Sequence, residues 1–349
     1  VLDLARQEGF DPAGLILGGD HLGPNPWTKL PADQAMDKAC AMVAAYAAAG
    51  FTKIHLDASM ACADDPTPLP DPVIAERNAR LAAVAEAHAA GEPPVYVIGT
   101  EVPVPGGALE EVEGLVVTAP GAARVTVDLH REAFARAGVA GAFARVVGLV
   151  VQPGVEFGNE NVVAYIPEAA RDLVASLPGL PMLFEAHSTD YQTPQALAAL
   201  VRDGFGILKV GPGLTFALRE ALYGLDRIAD ELLPSRGEPL RDAMERLMQD
   251  KPGHWARYYH GTPEHQRLQR HYSYSDRIRY YWTDPVAQGA VEGLMSALGS
   301  GPLPEPLISQ FLGAGYAGVM AGDVAPTARS LVRAAVARAL EPYMAACFP

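Results

Sequence analysis

The apolar run Leu15-Ile16-Leu17-Gly18-Gly19 ends on Asp20 and His21, then breaks on Leu22-Gly23-Pro24-Asn25-Pro26-Trp27. The same passage from apolar to polar recurs at Ile54-His55-Leu56-Asp57, Val97-Ile98-Gly99-Thr100-Glu101, Val150-Val151-Gln152 and Leu183-Phe184-Glu185-Ala186-His187. Short apolar runs bounded by Gly and Pro predict buried strands, and the carboxyl ends of such strands are where an α/β enzyme places its chemistry. Stability alone gives no reason for five strands to finish on polar groups. The pattern therefore predicts an enzyme or an enzyme's close descendant.

Between the strands the apolar period lengthens to that of amphipathic helices, which predicts a parallel sheet with helices packed outside it. Strands are expected over 15–20, 53–57, 95–101, 146–152, 182–187 and 207–210. Helices are expected over 31–49, 72–90, 129–144, 167–177 and 194–203, with another from Thr215. The segment 102–107 is too rich in Pro and Gly to be helical. This gives six βα units over residues 1–235, where a closed barrel of this type needs eight. Residues 236–285 read as a Tyr-, Arg- and His-rich insertion near the mouth of the site. Residues 286–349 read as C-terminal helices, at about 286–298, 304–313 and 326–344. No solenoid-type repeat is present.

Composition narrows the partners. With 349 residues, 49% of them hydrophobic, the chain has ample material for one barrel-sized core. A net charge of −14 argues against a general nucleic-acid or anionic-membrane surface, while leaving room for a local basic pocket. Cys40, Cys62 and Cys347 are scattered and form no C-x-x-C pair, which predicts a reducing compartment and no thiolate zinc site. No apolar run reaches the roughly 18 residues of a membrane span, and no signal-like leader opens the chain, so a cytoplasmic protein is expected. The first residue is Val1, which suggests a trimmed amino terminus. Neither G-x-G-x-x-G after a strand nor G-x-x-x-x-G-K-[ST] occurs, so nicotinamide and ATP are not expected as cofactors.

His21 and His187 are the best candidates for metal ligands, because each follows a strand and strand ends of a barrel open onto one face. The alternative is a pair of hydrogen-bonded structural histidines. Asp20, Asp57, Glu101, Glu156 and Glu185 bring carboxylates to the same face, and one of them could carry a proton. His55 is open between ligand, base and core residue, whereas His88 and His130 lie in helical stretches and read as surface or packing residues. Lys209-Val210-Gly211-Pro212-Gly213-Leu214-Thr215 joins a strand to a helix and could offer backbone N–H groups and a charge to an anion. Arg277 and Arg279 could clamp a phosphate or form rim salt bridges.

Taken together, several long motifs resemble one family. They are Leu17-Gly18-Gly19-Asp20-His21-Leu22-Gly23-Pro24-Asn25, Lys53-Ile54-His55-Leu56-Asp57-Ala58-Ser59-Met60, and Gly99-Thr100-Glu101-Val102-Pro103-Val104-Pro105-Gly106-Gly107. Further along come Val151-Gln152-Pro153-Gly154-Val155-Glu156-Phe157, Glu185-Ala186-His187-Ser188-Thr189-Asp190-Tyr191-Gln192, and Asp276-Arg277-Ile278-Arg279-Tyr280-Tyr281-Trp282. They are similar to the Z-type, non-catalytic subunit of class II D-tagatose-1,6-bisphosphate aldolase, a family that includes D-tagatose-6-phosphate 4-epimerases and older kinase labels.

The resemblance implies a TIM (β/α)8-type barrel related to class II aldolases, with two βα units before the Asp20 strand missing from this chain. It implies a divalent metal, zinc before others. Asp20 then matches the aldolase proton carrier, His21 and His187 two zinc histidines, and Glu101 a metal-shell glutamate. Gln152 stands where the third zinc histidine belongs. Asp57 is placed with the catalytic carboxylates. His55, Glu156, Glu185, Asp190, Lys209, Gly211, Arg277 and Arg279 are placed around the phosphorylated ketohexose.

The implied activity is metal-dependent interconversion of D-tagatose 6-phosphate and D-fructose 6-phosphate, in a cytoplasmic homo-oligomer of carbohydrate metabolism such as galactitol catabolism. The alternative is an accessory subunit that stabilises a class II aldolase catalytic subunit. Chemistry favours a cleavage route for the first, since the carbon-4 hydrogen of a 2-ketose is not acidic. Inversion there needs either transient oxidation or breaking and re-forming the bond between carbons 3 and 4, and the nicotinamide fingerprint is missing.

Overall fold

The computed structural model describes residues 1–100 and 115–348. Glu101 and the Pro/Gly-rich segment after it, 102–107, lie outside the described residues.

Six parallel strands form one sheet: β1 (Gly18–Leu22), β2 (Lys53–Leu56), β3 (Val95–Ile98), β4 (Val146–Val151), β7 (Leu183–Ala186) and β8 (Phe205–Leu208), side by side in that order. A separate antiparallel pair, β5 (Glu156–Phe157) and β6 (Val162–Val163), stands on the loop after β4. Two-residue strands carry no readable period, which is why the sequence pattern missed them. The sheet is curled: Lys209, just beyond β8, puts its Nζ 3.4 Å from Asp20 Oδ1 on β1 at the opposite edge. This is an α/β fold of TIM-like character.

Helices fill the outer layer as the apolar period predicts. The helix Asp71–His88 buries Ile74, Ala75, Asn78, Ala79, Leu81, Ala82 and Ala85, one face at helical spacing. Proline opens several helices, at Pro120, Pro167, Pro194 and Pro212, where its missing N–H costs nothing. That habit explains one difference from expectation. The helix expected over 129–144 runs over Pro120–Arg136, because Pro120 starts the helix instead of breaking it. Likewise the helix expected from Thr215 begins at Pro212.

Among the described residues the buried apolar side chains form two large clusters and a small one of Ala58, Leu69 and Ile74. The first lies between the sheet and its helices and includes Ile54, Leu56, Tyr96, Ile98, Phe134 and Phe184. The second is helical, built on Leu222, Leu225, Ile228, Met244, Tyr259 and Tyr281. In the Tyr-rich segment the chain forms the helix Pro263–Tyr272 and the short 3-10 turn Arg277–Tyr281. The last helix, Ala328–Cys347, packs on Pro194–Arg202 and Pro212–Leu232, and Tyr343 Oη donates to Thr189 O at 2.7 Å. The carboxyl end of β7 is thereby tied to the C-terminal helix. No helix among the described residues is long and apolar enough to cross a membrane.

Candidate active site

A bulge at the end of β1 delivers the first two polar side chains. Gly19 pairs with Ile54 and Leu22 with Leu56, so three steps on β1 match two on β2. The extra residue breaks the alternation that would send Asp20 and His21 to opposite faces. His21 takes a left-handed φ of 51°, a strained conformation for a residue with a Cβ. Ser188 and Tyr191, after β7, share it with φ of 53° and 63°.

Three imidazoles meet at this mouth. His21, His55 and His187 each offer one nitrogen, and the three lie within 4.8 Å of one another. Two of the rings are held by a carboxylate on one nitrogen, and the third by other donors. His21 Nδ1 donates to Asp57 Oδ2 at 2.8 Å, and His187 Nε2 donates to Glu185 Oε1 at 2.9 Å. His55 Nδ1 accepts from His21 N at 3.3 Å and from Lys209 Nζ at 3.0 Å. His55 Nε2 is buried with no hydrogen-bond partner. Convergent imidazoles backed by carboxylates, with one orphaned buried nitrogen, fit a divalent cation and suit zinc well.

Asp57 is almost fully buried and anchors His21 through a dense set of donors. Besides His21 it accepts from Asn25 Nδ2 at 2.8 Å, Ser59 N at 3.1 Å and Ser59 Oγ at 2.6 Å. Burial acts to raise its carboxyl, and the bonds from His21 and Ser59 outweigh that and hold it below the usual range. Gly23 makes the approach possible, since a Cβ there would lie 1.7 Å from Asp57 O.

Beneath the imidazoles runs a network of alternating charge. Lys53 Nζ lies 3.2 Å from both Asp20 Oδ1 and Glu185 Oε2, and Lys209 Nζ lies 3.4 Å from Asp20 Oδ1 and 3.3 Å from Glu185 Oε1. Glu185 is fully buried while Asp20 is half-exposed to the mouth. Burial acts to raise both carboxyls, and the two ammonium groups, with His187 for Glu185, more than reverse it; Glu185 is held at about 2. Burial pushes the His187 imidazole down to about 4 and His55 well below the usual histidine range. At neutral pH Asp20, Asp57 and Glu185 are thus ionised and His55 and His187 neutral, the forms that bind metal.

Of the other residues singled out in the sequence, Lys209 reaches the histidine cluster and the rest make their contacts outside it. Gln152 does not present its carboxamide oxygen to the histidines: Oε1 accepts from Gly154 N at 2.8 Å and Val155 N at 3.0 Å, shaping the loop after β4. The third imidazole of the cluster is His55. Gly211 N and Gly213 N donate to Asp190 Oδ1 at 2.9 and 2.7 Å, so these two amides serve the protein's own carboxylate. Lys209 turns away from that loop into the histidine cluster.

Glu156 is buried, with Oε1 accepting from Phe157 N at 2.9 Å; burial raises its carboxyl above the usual range. Arg277 donates to His254 O and stacks on Tyr258, 3.3 Å from the ring centre. Arg279 bonds to Ser275 O and to Tyr280 Oη. Neither forms an ion pair with a carboxylate among the described residues. Lys53, Asn25 and Ser59 were missed in the sequence. Lys53 had a signal: it shares the β2 face of His55 by strict alternation.

The described geometry is matched by known proteins. The family model for D-tagatose-1,6-bisphosphate aldolase subunit GatZ/KbaZ-like proteins matches residues 1–348. The chain belongs to this family. A relative from Agrobacterium fabrum, named D-tagatose 6-phosphate 4-epimerase, is 60% identical over 318 residues, 90% of this chain and 75% of the relative. A solved structure from Sinorhizobium meliloti, described as a probable tagatose 6 phosphate kinase, is also 60% identical. It superposes with a TM-score of 0.92 and covers 99% of this chain and 86% of that one. Family membership agrees with the resemblance carried by the sequence motifs.

Proposed function

We propose that this chain is a sugar-phosphate 4-epimerase that interconverts D-tagatose 6-phosphate and D-fructose 6-phosphate. The name of the Agrobacterium fabrum relative supports the substrate and the reaction. The observation that carries the assignment of the site is the cluster of His21, His55 and His187, flanked by an ionised Asp20. His55 takes the third ligand position because the Gln152 oxygen is engaged by backbone amides.

Asp20, half-exposed at the mouth, takes the proton of the carbon-4 hydroxyl. The bond between carbons 3 and 4 breaks, leaving its electron pair on carbon 3, conjugated with the carbonyl at carbon 2, and an aldehyde at carbon 4. The aldehyde turns its other face, the bond re-forms, and Asp20 returns the proton to the carbon-4 oxygen. His21, His55 and His187 would hold a divalent cation, which when bound would supply Lewis-acid chemistry at the ketone and to the charge left by cleavage. Asp57 and Glu185 orient His21 and His187. Arg277 and Arg279, without carboxylate partners among the described residues, receive the 6-phosphate. Glu156 faces the sugar hydroxyls, and Asp190 holds the loop after β8 through Gly211 and Gly213.

In this reading the six strands belong to a (β/α)8-type barrel. A second reading, an accessory subunit of a class II aldolase, rests on the description of the family itself.

Incubating the purified protein alone with fructose 6-phosphate, with chelator or with added divalent cation, separates these. Metal-dependent formation of tagatose 6-phosphate, resolved by NMR and independent of ATP, is the expected result. No product from folded, metal-loaded protein, together with co-purification of an aldolase whose activity falls without this chain, would overturn the epimerase reading.

A further inference from the structure

Lys209 occupies an unusual place for an ammonium group. Its Nζ lies 3.0 Å from His55 Nδ1 and 3.5 Å from His21 Nε2, inside the set of imidazoles that fits a divalent cation. The His21 contact is to the ring nitrogen left free by Asp57, which holds Nδ1. That is the nitrogen a cation would need.

The contact to His55 has the same consequence by another route. A neutral imidazole has one N–H and one lone pair. Because His55 Nδ1 accepts from Lys209, the proton of the neutral ring sits on Nε2, which is buried and has no acceptor. A cation approaching Nε2 finds a hydrogen there, and a cation approaching Nδ1 finds the ammonium. Nδ1 also accepts from His21 N, which keeps the proton on Nε2 whether or not Lys209 is there. The mode that Lys209 controls is therefore ligation through Nδ1, and that mode, like ligation through His21 Nε2, requires Lys209 to let go. Charge acts in the same direction, since an ammonium and a dication a few ångströms apart repel strongly in a buried site.

Lys209 has somewhere to go. Asp20 Oδ1 at 3.4 Å and Glu185 Oε1 at 3.3 Å are already its neighbours and need no imidazole to hold it. We propose that the Lys209 ammonium and the divalent cation are alternative occupants of the same imidazole nitrogens, so that Lys209 sets how tightly the histidine cluster takes up metal. Lys209 is then a positioning residue with two stations, one on His21 and His55 and one on the carboxylates.

The inference rests on the histidine cluster being the metal site, and its test keeps the two claims apart. Metal-stripped full-length protein is titrated with Zn²⁺ in competition with a chromophoric chelator at one fixed neutral pH. Far-UV circular dichroism verifies that each variant is folded. Lys209→Met is expected to bind Zn²⁺ roughly tenfold or more tightly than the wild type, the direction that removal of a buried like charge dictates. Lys209→Gln, which lacks the charge but keeps a donor, is expected to show the same gain, and Lys209→Arg none. Equal or weaker binding by folded Lys209→Met and Lys209→Gln, with the wild type still binding, overturns the inference alone. No Zn²⁺ binding by any of the four proteins overturns the metal assignment and the inference with it.

Discussion

His21 Nδ1 and Asp57 Oδ2 are 2.8 Å apart, joining the bulged end of β1 to the end of β2. The bond fixes which nitrogen of His21 faces the mouth, and three further donations from Asn25 and Ser59 fix the carboxylate. An amide in its place offers one acceptor oxygen and two unwanted donors. Asp57→Asn is therefore expected to weaken divalent-metal binding by about 10- to 100-fold, the usual effect of losing such a partner. Chelator competition measures it, and an unchanged affinity would show that the pair does not orient the ring.

The same junction makes a prediction about stability. A Cβ on Gly23 would fall 1.7 Å from Asp57 O, which is backbone and cannot step aside. Gly23→Ala should cost at least the 1–3 kcal/mol or so typical of overpacking and displace Asp57 from His21. Gly121→Ala is the control, because nothing lies within 4 Å of a Cβ there. Urea denaturation of both variants should show a large loss at Gly23 and almost none at Gly121. Equal midpoints would refute the argument.

How far the site was legible in the sequence follows from what each residue needs. Asp20, His21, Asp57, Glu185 and His187 stand at the ends of apolar runs, and period and polarity bring them to one end of the sheet, whereas the β1 bulge that sets Asp20 and His21 together has no signal in the pattern. Whether His55 was ligand, base or core could not be settled that way, because it sits inside an apolar run and its neighbours come from β1 and from beyond β8. Lys53 was invisible for a related reason, since its meaning lies in Glu185 on β7, more than a hundred residues away in sequence. Gln152 and Gly211 were misleading because a polar side chain and a free amide can serve the protein's own loops as readily as a ligand. The six-stranded parallel order was readable from the βα rhythm, whereas the curl that brings Lys209 to Asp20 arises from contacts between distant strands and leaves no local pattern.

Asp20 separates proton transfer from metal binding. It is half-exposed at the mouth and bonded to Lys53 and Lys209, not to an imidazole. Asp20→Asn should retain folded structure and lower the epimerisation rate by about 10²- to 10⁴-fold, the range for loss of a positioned acid–base group. Progress curves with fructose 6-phosphate followed by NMR provide the test. A rate near that of the wild type would remove Asp20 from the mechanism.

Acid sensitivity should come from buried histidines, two of which, His130 and His271, lie away from the His21, His55 and His187 cluster. His130 Nδ1 donates to Thr126 O at 2.8 Å, and Asn78 Nδ2 lies 3.0 Å from Nε2. His271 lies between Tyr223 Oη at 2.7 Å and Glu245 at 3.0 Å. Burial pushes each imidazole from 6.5 down to about 4. Between those values the unfolded chain binds a proton that the folded chain refuses, so stability rises with pH across this window and falls as pH drops from 6.5 toward 4. Each such histidine contributes a slope of about 1.4 kcal/mol per pH unit. His130→Gln keeps a polar group on the Asn78 side and removes one titrating site. Its unfolding free energy, measured by urea titration across the window, should depend on pH less steeply than that of the wild type by about one proton. Parallel slopes in the two proteins would mean that His130 is already protonated when folded, contrary to its burial.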